Sequence, residues 1–293
     1  TAYEIPKRDW SSDVCSSDLR LAANAVSDPA GNTGPTVLVD ATTTLTLDRV
    51  TPTTGSASIS ESSTELYATG TTLYYNSATA QSTSFTVTLA PTDGNGIASV
   101  AFPVITGLGT GATNGATDAT APYSNAYVFG TGSLTATGVQ TITVTDNAGN
   151  SATTSFTLAA DGSAPSVTWT TPGAGTTLSS SSSITLSFST GDDGAGLASV
   201  LLQREKAQMS IPGSCAGVAW TADGSAANVL GATSRLVEDL ASGYCYRWTI
   251  TATDRVGNET VSTSGARLLD ATDPVFTASD VTVSGDAEIG RAH

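Results

Sequence analysis

The residues TITVTDNAGNSATTSFTL (141–158) consist of two alternating stretches separated by a compact polar turn. Apolar and hydroxyl side chains alternate on both sides of the turn, which is typical of half-buried β-strands. Within the turn, the Asp146 carboxylate can accept backbone N–H groups two residues further on, and Gly149 can adopt the left-handed conformation that closes hairpins. The sequence therefore predicts a β-hairpin here, and SFTVTLA (84–90) and SITLSFS (183–189) predict further strands.

The same turn recurs along the chain as SDPAGN (27–32), TDNAGN (145–150) and TDRVGN (253–258), at intervals of 118 and 108 residues. Asp28 with Gly31, and Asp254 with Gly257, are therefore predicted to form the turn that Asp146 and Gly149 form. Two further markers recur in the same order, namely DGNGIASV with DDGAGLASV, and VDATTT with ADGSAP and LDATDP. The repeats predict all-β modules of about 100–120 residues, which is the size of a β-sandwich domain.

The two ends of the chain are related to each other in an unusual way. VCSSDL (14–19) and EIGRAH (288–293) can be encoded by one oligonucleotide read on opposite strands, and both resemble a translated sequencing adapter. We therefore expect no stable structure at either end, since such segments lie outside the fold. The resulting division is 1–19 adapter-derived, 20–44 the final hairpin of a truncated module, 45–163 and 164–270 complete modules, 271–287 the start of another module, and 288–293 adapter-derived.

Composition argues against several classes of partner. The chain has 11 Lys and Arg against 26 Asp and Glu, a net charge of −15, which disfavours nucleic acid and anionic lipid as partners. No apolar run approaches the roughly 18 residues of a membrane helix, so we expect no membrane insertion in this segment. Regular alternation of β-branched residues with Ser and Thr argues against disorder.

Four stretches resemble the tandem bacterial immunoglobulin-like repeats of large secreted and cell-surface proteins, namely 145–172, 70–77, 96–103 and 243–258. LASGYCY (240–246) resembles the tyrosine corner of fibronectin type III domains, with Leu240 six residues before Tyr246 but Ser242 where that motif usually has proline. The topology of 164–270 is therefore left open between the two types. The resemblance implies an extracellular stalk, adhesive or accessory role, and it implies no particular ligand.

Catalytic residues are hard to find in this sequence. The only histidine is His293, so residues 20–287 cannot build a Ser-His-Asp or Cys-His unit. The adjacent acids Asp192 and Asp193 lie in a glycine-rich turn without apolar neighbours that would raise a pKa. We therefore predict that the chain is not an enzyme and that it needs no cofactor, with calcium as the one candidate.

Acidic and amide side chains at predicted loop ends are the candidate calcium ligands, because Ca²⁺ prefers oxygen ligands and such loops lie where modules meet. These candidates are Asp93, Asn95, Asp192, Asp193, Asp254 and Asp273. The competing interpretation is that they only form turns, which their residue types also explain.

Cys215 and Cys245 are predicted to form a disulfide, which an extracellular context permits. Cys245 alternates with Tyr244 and Tyr246 along a strand, so it is expected on the solvent side of the sheet, where the bond would pin the loop of Cys215. Trp248 shares the core phase of the two tyrosines. Trp220 is the one tryptophan of the modules that is predicted to be exposed, and it is therefore a candidate residue for stacking against a sugar ring.

These observations favour a non-catalytic segment of tandem modules acting as a stalk, spacer or adhesive region of an extracellular or cell-surface protein. The alternatives are accessory modules of a secreted polysaccharide-active enzyme, or a module that itself binds calcium or sugar. Expected partners are neighbouring modules of the same chain and a surface ligand of unknown kind, either glycan or protein.

Overall fold

The computed structural model describes residues 14–21, 26–27, 33–34, 39–209, 211 and 213–273, and within these ranges every regular element is a β-strand. The chain divides into two compact units, Thr1–Gly162 (unit 1) and Ser163–His293 (unit 2). The strands of unit 1 are β1 Val14–Leu21, β2 Val26–Ser27, β3 Thr33–Gly34, β4 Val39–Asp48, β5 Ser58–Glu61, β6 Leu66–Thr69, β7 Thr72–Tyr75, β8 Ser84–Leu89, β9 Ile97–Ala101, β10 Thr117–Asp118, β11 Tyr123–Val128, β12 Gly138–Asp146 and β13 Ser151–Ala160. The strands of unit 2 are β14 Ser166–Thr171, β15 Thr176–Ser179, β16 Ile184–Gly191, β17 Leu197–Gln208, β18 Thr221–Ala222, β19 Ala227–Asn228, β20 Ser234–Val237, β21 Tyr244–Asp254, β22 Glu259–Thr263 and β23 Ala266–Leu269.

The first four strands correct one expectation. β1 pairs antiparallel with β4, so the expectation that residues 1–19 form no structure is wrong for residues 14–19. β4 is a ten-residue strand that contains four Thr and two Leu, and the edge of such a strand offers hydrogen-bonding groups to a neighbouring extended segment. β2 and β3 form a short antiparallel pair. The predicted turn residues Asp28 and Gly31 lie outside the described residues, as do 288–293.

The remainder of unit 1 consists of two sheets. One has the order β11-β8-β5, and the other has the order β10-β9-β12-β13-β7-β6. All these pairs are antiparallel except β13 with β7, which run parallel. The hairpin predicted at 141–158 is present, with Thr145 opposite Ser151 across the Asp146 turn.

Unit 2 repeats this arrangement, which shows that the internal repeat of the sequence is also a repeat of topology. Its small sheet has the order β14-β16-β20, and its large sheet runs β15-β23-β21-β17-β18, with β22 pairing β21 and β19 pairing β17. In each unit an early strand of the large sheet runs parallel to the last strand, β7 with β13 in unit 1 and β15 with β23 in unit 2. The prediction of all-β modules of the immunoglobulin and fibronectin type III kind is thereby confirmed.

Each unit has its own hydrophobic core between its two sheets. In unit 1 the largest buried side chains are aromatic, namely Tyr75, Phe85, Tyr127, Phe129 and Phe156. In unit 2 the core is built around Trp248, with Leu186 and Ile250 fully buried. Burial of such a side chain stabilises a fold by about 1.5–3 kcal/mol, so these few residues account for much of what holds the sheets together.

The tyrosine corner predicted from LASGYCY is formed in unit 2. Tyr246 is buried, and its hydroxyl oxygen accepts a hydrogen bond from the Ala241 backbone N–H at 2.8 Å. Leu240 is also buried in the unit 2 core. The bond fixes the chain as it enters β21, which is the role this corner has in related sandwiches.

A disulfide joins Cys215 to Cys245, as the sequence predicted. The expectation that Cys245 faces solvent is wrong, because its side chain is 0% exposed. Its neighbours on the same face, Arg247 and Thr249, are half-buried, so the assignment of the face was right. Cys245 differs from them because the loop tied down by the disulfide covers it, and its sulfur lies 3.8 Å from the Ser214 carbonyl oxygen.

Candidate functional site

The turn between β12 and β13 holds a buried carboxylate. Asp146 is 1% exposed, and its Oδ1 accepts hydrogen bonds from the N–H groups of Ala148 and Asn150, both at 2.8 Å. Its Oδ2 accepts a third bond from Asn150 Nδ2 at 2.9 Å. Gly149 has a φ of 93°, so the turn requires the left-handed conformation predicted for it.

A second turn, between β8 and β9, lies directly against the first. Asp93 Oδ1 accepts from the Asn95 N–H at 2.8 Å, and Gly96 has a φ of 85°. Asn147 connects the two turns, because its Nδ2 donates to the Asn95 carbonyl at 2.8 Å and its N–H donates to the Gly96 carbonyl at 3.1 Å. A side chain on Gly96 would place Cβ 2.9 Å from Asn147 Nδ2, so glycine keeps this contact possible.

Asp48, at the end of β4, completes the group. Its main-chain carbonyl lies 3.3 Å from Asn150 Nδ2, and its Oδ1 accepts from the Val50 N–H at 2.9 Å. One carboxylate oxygen from each of Asp48, Asp93 and Asp146 lies within 4.8 Å of the others. Three acidic side chains from distant parts of the sequence thus converge at one end of unit 1.

The electrostatics of this group favour the ionised state of Asp146. Burial alone would raise its pKa, but hydrogen bonds from the Asn150 side chain and from the backbone N–H groups of the turn outweigh burial and lower the pKa. Asp146 is therefore charged at neutral pH while it lies close to two further carboxylates. Such a set of hard, anionic oxygens is the kind of ligand set that Ca²⁺ binds, and a cation there would offset the repulsion between them.

Two acidic side chains also lie close together in the loops of unit 2. Carboxylate oxygens of Asp192 and Asp254 lie within 4.8 Å of each other. Asp192 Oδ2 accepts from the N–H groups of Gly194 and Gly196 at 3.0 and 2.8 Å. Its Oδ1 is buried and has no hydrogen-bond partner within the described residues, which is costly for a carboxylate oxygen.

The structure sorts the predicted calcium ligands. Of these candidates, Asp93 lies close to the carboxylates of Asp146 and Asp48. The sequence predicted only a turn role for Asp146 and did not single out Asp48. Asn95 takes part through its backbone, whereas Asp193 and Asp273 are exposed. A sequence signal for Asp48 does exist, because Asp-x-x-x-Pro occurs at 48–52, 161–165 and 270–274.

The tryptophans of unit 2 do not form a common platform. Trp248 is fully buried, and Trp169 packs edge-on against Phe188 with ring centroids 5.6 Å apart. Trp220 is half-buried rather than exposed, and the guanidinium carbon of Arg247 lies 4.6 Å from its ring centroid. Trp220 therefore packs against Arg247 on the outer face of the sheet, and this cation–π contact accounts for its partial burial.

No helix in the described ranges has the length and apolar character needed to cross a bilayer.

Comparison with known proteins finds likeness in structure only. No protein-family model matches the chain, and no curated protein matches it. Among solved structures, fibronectin(III)-like modules of CbhA from Clostridium thermocellum share 11% identity, with 73% of this chain and 94% of that chain covered and a TM-score of 0.34. Domains A168–A170 of titin share 13% identity over 80% of this chain and 70% of that one, with a TM-score of 0.35. The FN1–FN3 domains of chicken CNTN1 share 14% identity over 85% and 77%, with a TM-score of 0.24. At these values the likeness concerns general fold type and carries no argument about a ligand.

Proposed function

We propose that this chain is a non-catalytic segment of tandem immunoglobulin-like modules that serves as a stalk or spacer in an extracellular or cell-surface protein. The observation that carries the proposal is the recurrence of one strand order in two successive units, since repeated modules of this kind set a length rather than perform chemistry. The Cys215–Cys245 disulfide supports an oxidising location outside the cytosol. An accessory region of a secreted polysaccharide-active enzyme is the alternative, with a glycan or protein surface as partner.

A spacer of separate modules should unfold one module at a time when it is stretched. When the full chain is pulled from its ends in a single-molecule force experiment, we expect two separate unfolding events, one for each unit. Reducing the disulfide should lengthen the unit 2 event by about 100 Å, because the 30 residue steps it encloses each extend by about 3.3–3.6 Å. The proposal would be contradicted by a single event in which both units unfold together. It would also be contradicted if the length released by unit 2 were the same with and without reductant.

The second candidate function is calcium binding, and the convergence of Asp48, Asp93 and Asp146 favours it. All three are short carboxylates on turns whose backbones are fixed by hydrogen bonds, so a bound ion would hold β4 to the two turns. We propose that Ca²⁺ binds these three carboxylates and stiffens this end of unit 1. Sugar binding at Trp220 has less support, because Arg247 already lies over its ring.

Calcium should raise the melting temperature of the chain. At a calcium concentration of about 100 times Kd the stabilisation is about 2.7 kcal/mol, which for a domain of this size is about 10 °C. Calorimetry in millimolar CaCl₂ and in EGTA measures the difference. Asp93→Asn keeps the acceptor for the Asn95 N–H but removes the charge, so it should abolish the rise in unit 1. Asp193→Asn, the matched change at an exposed acid, should leave it intact. Equal melting temperatures with calcium and chelator would end this proposal.

A further inference from the structure

Two Asn-Gly pairs in unit 1, Asn95–Gly96 and Asn114–Gly115, lie in opposite environments. Asn-Gly is the dipeptide most prone to lose its side-chain amide, because the glycine N–H is not shielded by a Cβ and can attack the asparagine side chain. The outcome at each pair depends on whether the side chain is free to meet that nitrogen. The two pairs therefore form a comparison within one module.

Asn114 is held away from reaction. Its Oδ1 accepts from the Ile105 N–H at 2.6 Å and from the Gly115 N–H at 2.9 Å, and its Nδ2 donates to the Ile105 carbonyl at 2.7 Å. The attacking nitrogen is thus already engaged by the side-chain oxygen. Gly115 is also tightly enclosed, since an added Cβ would lie 2.0 Å from the Pro103 carbonyl oxygen.

The Asn95 side chain has none of the hydrogen bonds that hold the Asn114 side chain. It is exposed, and within the described residues only its backbone groups make hydrogen bonds, to Asp93 and Asn147. The Gly96 N–H makes one long contact, 3.3 Å from the Asp93 carbonyl oxygen. The Asn95 side chain is exposed and unbonded within these residues, so it reaches the glycine nitrogen once this single long contact opens, whereas three shorter bonds hold Asn114.

We propose that Asn95 is a site of spontaneous deamidation, at which water converts the amide beside the Asp48, Asp93 and Asp146 group into a carboxylate. The Gly96 nitrogen forms a bond to Cγ of Asn95, the Cγ–Nδ2 bond breaks, and ammonia leaves with the proton of the Gly96 N–H. Water then opens the cyclic imide at either carbonyl, which gives an aspartate or an isoaspartate at position 95.

Either product changes the turn. Both products add a negative charge two residues from Asp93. The isoaspartate also inserts a methylene group into the main chain, which displaces the carbonyl that accepts from Asn147 Nδ2 at 2.8 Å. Conversion to isoaspartate therefore loosens the contact between the two turns, whether or not calcium binds there.

The test incubates the full chain in mildly alkaline buffer and follows amide loss by peptide mass spectrometry. Trypsin cannot resolve the two sites, because no Lys or Arg lies between Arg49 and Arg204. Chymotrypsin cleavage after Phe85, Leu108 and Tyr123 separates them, since Leu108 lies between the two sites; the Phe102–Pro103 bond resists cleavage because proline follows the aromatic residue. Asn95 should deamidate at least about tenfold faster than Asn114, because three hydrogen bonds must break before Asn114 can react.

Two controls decide the result. In the urea-unfolded chain the two sites should react at similar rates, since only the fold distinguishes them. Asn95→Gln should remove the fast reaction in the folded chain and leave the slow one. The proposal is overturned if Asn95 keeps its amide in the folded chain while it reacts in urea, or if both sites react equally in the folded chain.

Discussion

Replacing Cys215 and Cys245 together by alanine should lower the free energy of unfolding of unit 2 by about 3–4 kcal/mol. The disulfide closes a loop with a sequence separation of 30, and the chain-entropy model assigns the loss to the greater freedom of the unfolded chain without the bond. The folded state loses contacts too. The loop covers Cys245 and Ala207 on the outer face of the large sheet, and both side chains are buried beneath it.

Urea unfolding followed by tryptophan fluorescence measures this effect selectively. Three of the four tryptophans, Trp169, Trp220 and Trp248, lie in unit 2, and Trp10→Phe removes the fourth, so that the signal comes from unit 2 alone. Cys15→Ala is the matched control, because it removes the third cysteine and leaves the bond intact. Reduction of the unaltered chain should reproduce the loss seen in the double variant. A loss below about 1 kcal/mol in both experiments would mean that the loop is held without the bond.

Local signals in the sequence predicted the strands and turns well. The Asp146 and Asp254 turns depend on residues within five positions of each other, so their spacing alone fixes the hairpins. The tyrosine corner was also local, since Tyr246 bonds the backbone five residues earlier. The alternation along β21 identified the core face of Trp248 correctly, because the period of a strand requires no knowledge of its neighbours.

Features that depend on distant parts of the chain were harder to predict. The burial of Cys245 was missed because alternation reports the face of a strand and says nothing about a loop that covers it. Asp48 was missed because its closeness to Asp146 arises across 98 positions of sequence, through sheet pairing. The strand at Val14–Leu21 was not predicted because the coding relation between 14–19 and 288–293 carries no information about pairing with a strand elsewhere in the chain.

Asp254→Ala should be among the most destabilising single changes in unit 2, at about 2–4 kcal/mol. Asp254 is 2% exposed. Its Oδ1 accepts from the N–H groups of Val256 at 2.9 Å and Asn258 at 2.8 Å, and its Oδ2 accepts from Asn258 Nδ2 at 2.7 Å. Alanine removes both acceptor oxygens and their three hydrogen bonds at once, and the Val256 N–H loses a partner in a buried turn, where desolvation makes the loss costly.

Graded substitutions separate the hydrogen bonds from the charge. Asp254→Asn retains an oxygen for the two backbone N–H groups but loses the charge and the bond from Asn258 Nδ2, because its amide nitrogen cannot accept, so it should cost less than Asp254→Ala. Asp193→Ala removes an acid that is exposed and should change stability by no more than about 0.5 kcal/mol. The measurements belong in EGTA, so that any bound cation does not contribute. If Asp254→Ala were as mild as Asp193→Ala, the recurring Asp-x-x-Gly-Asn turn would not be held by its carboxylate, and the repeat would need a reason other than folding.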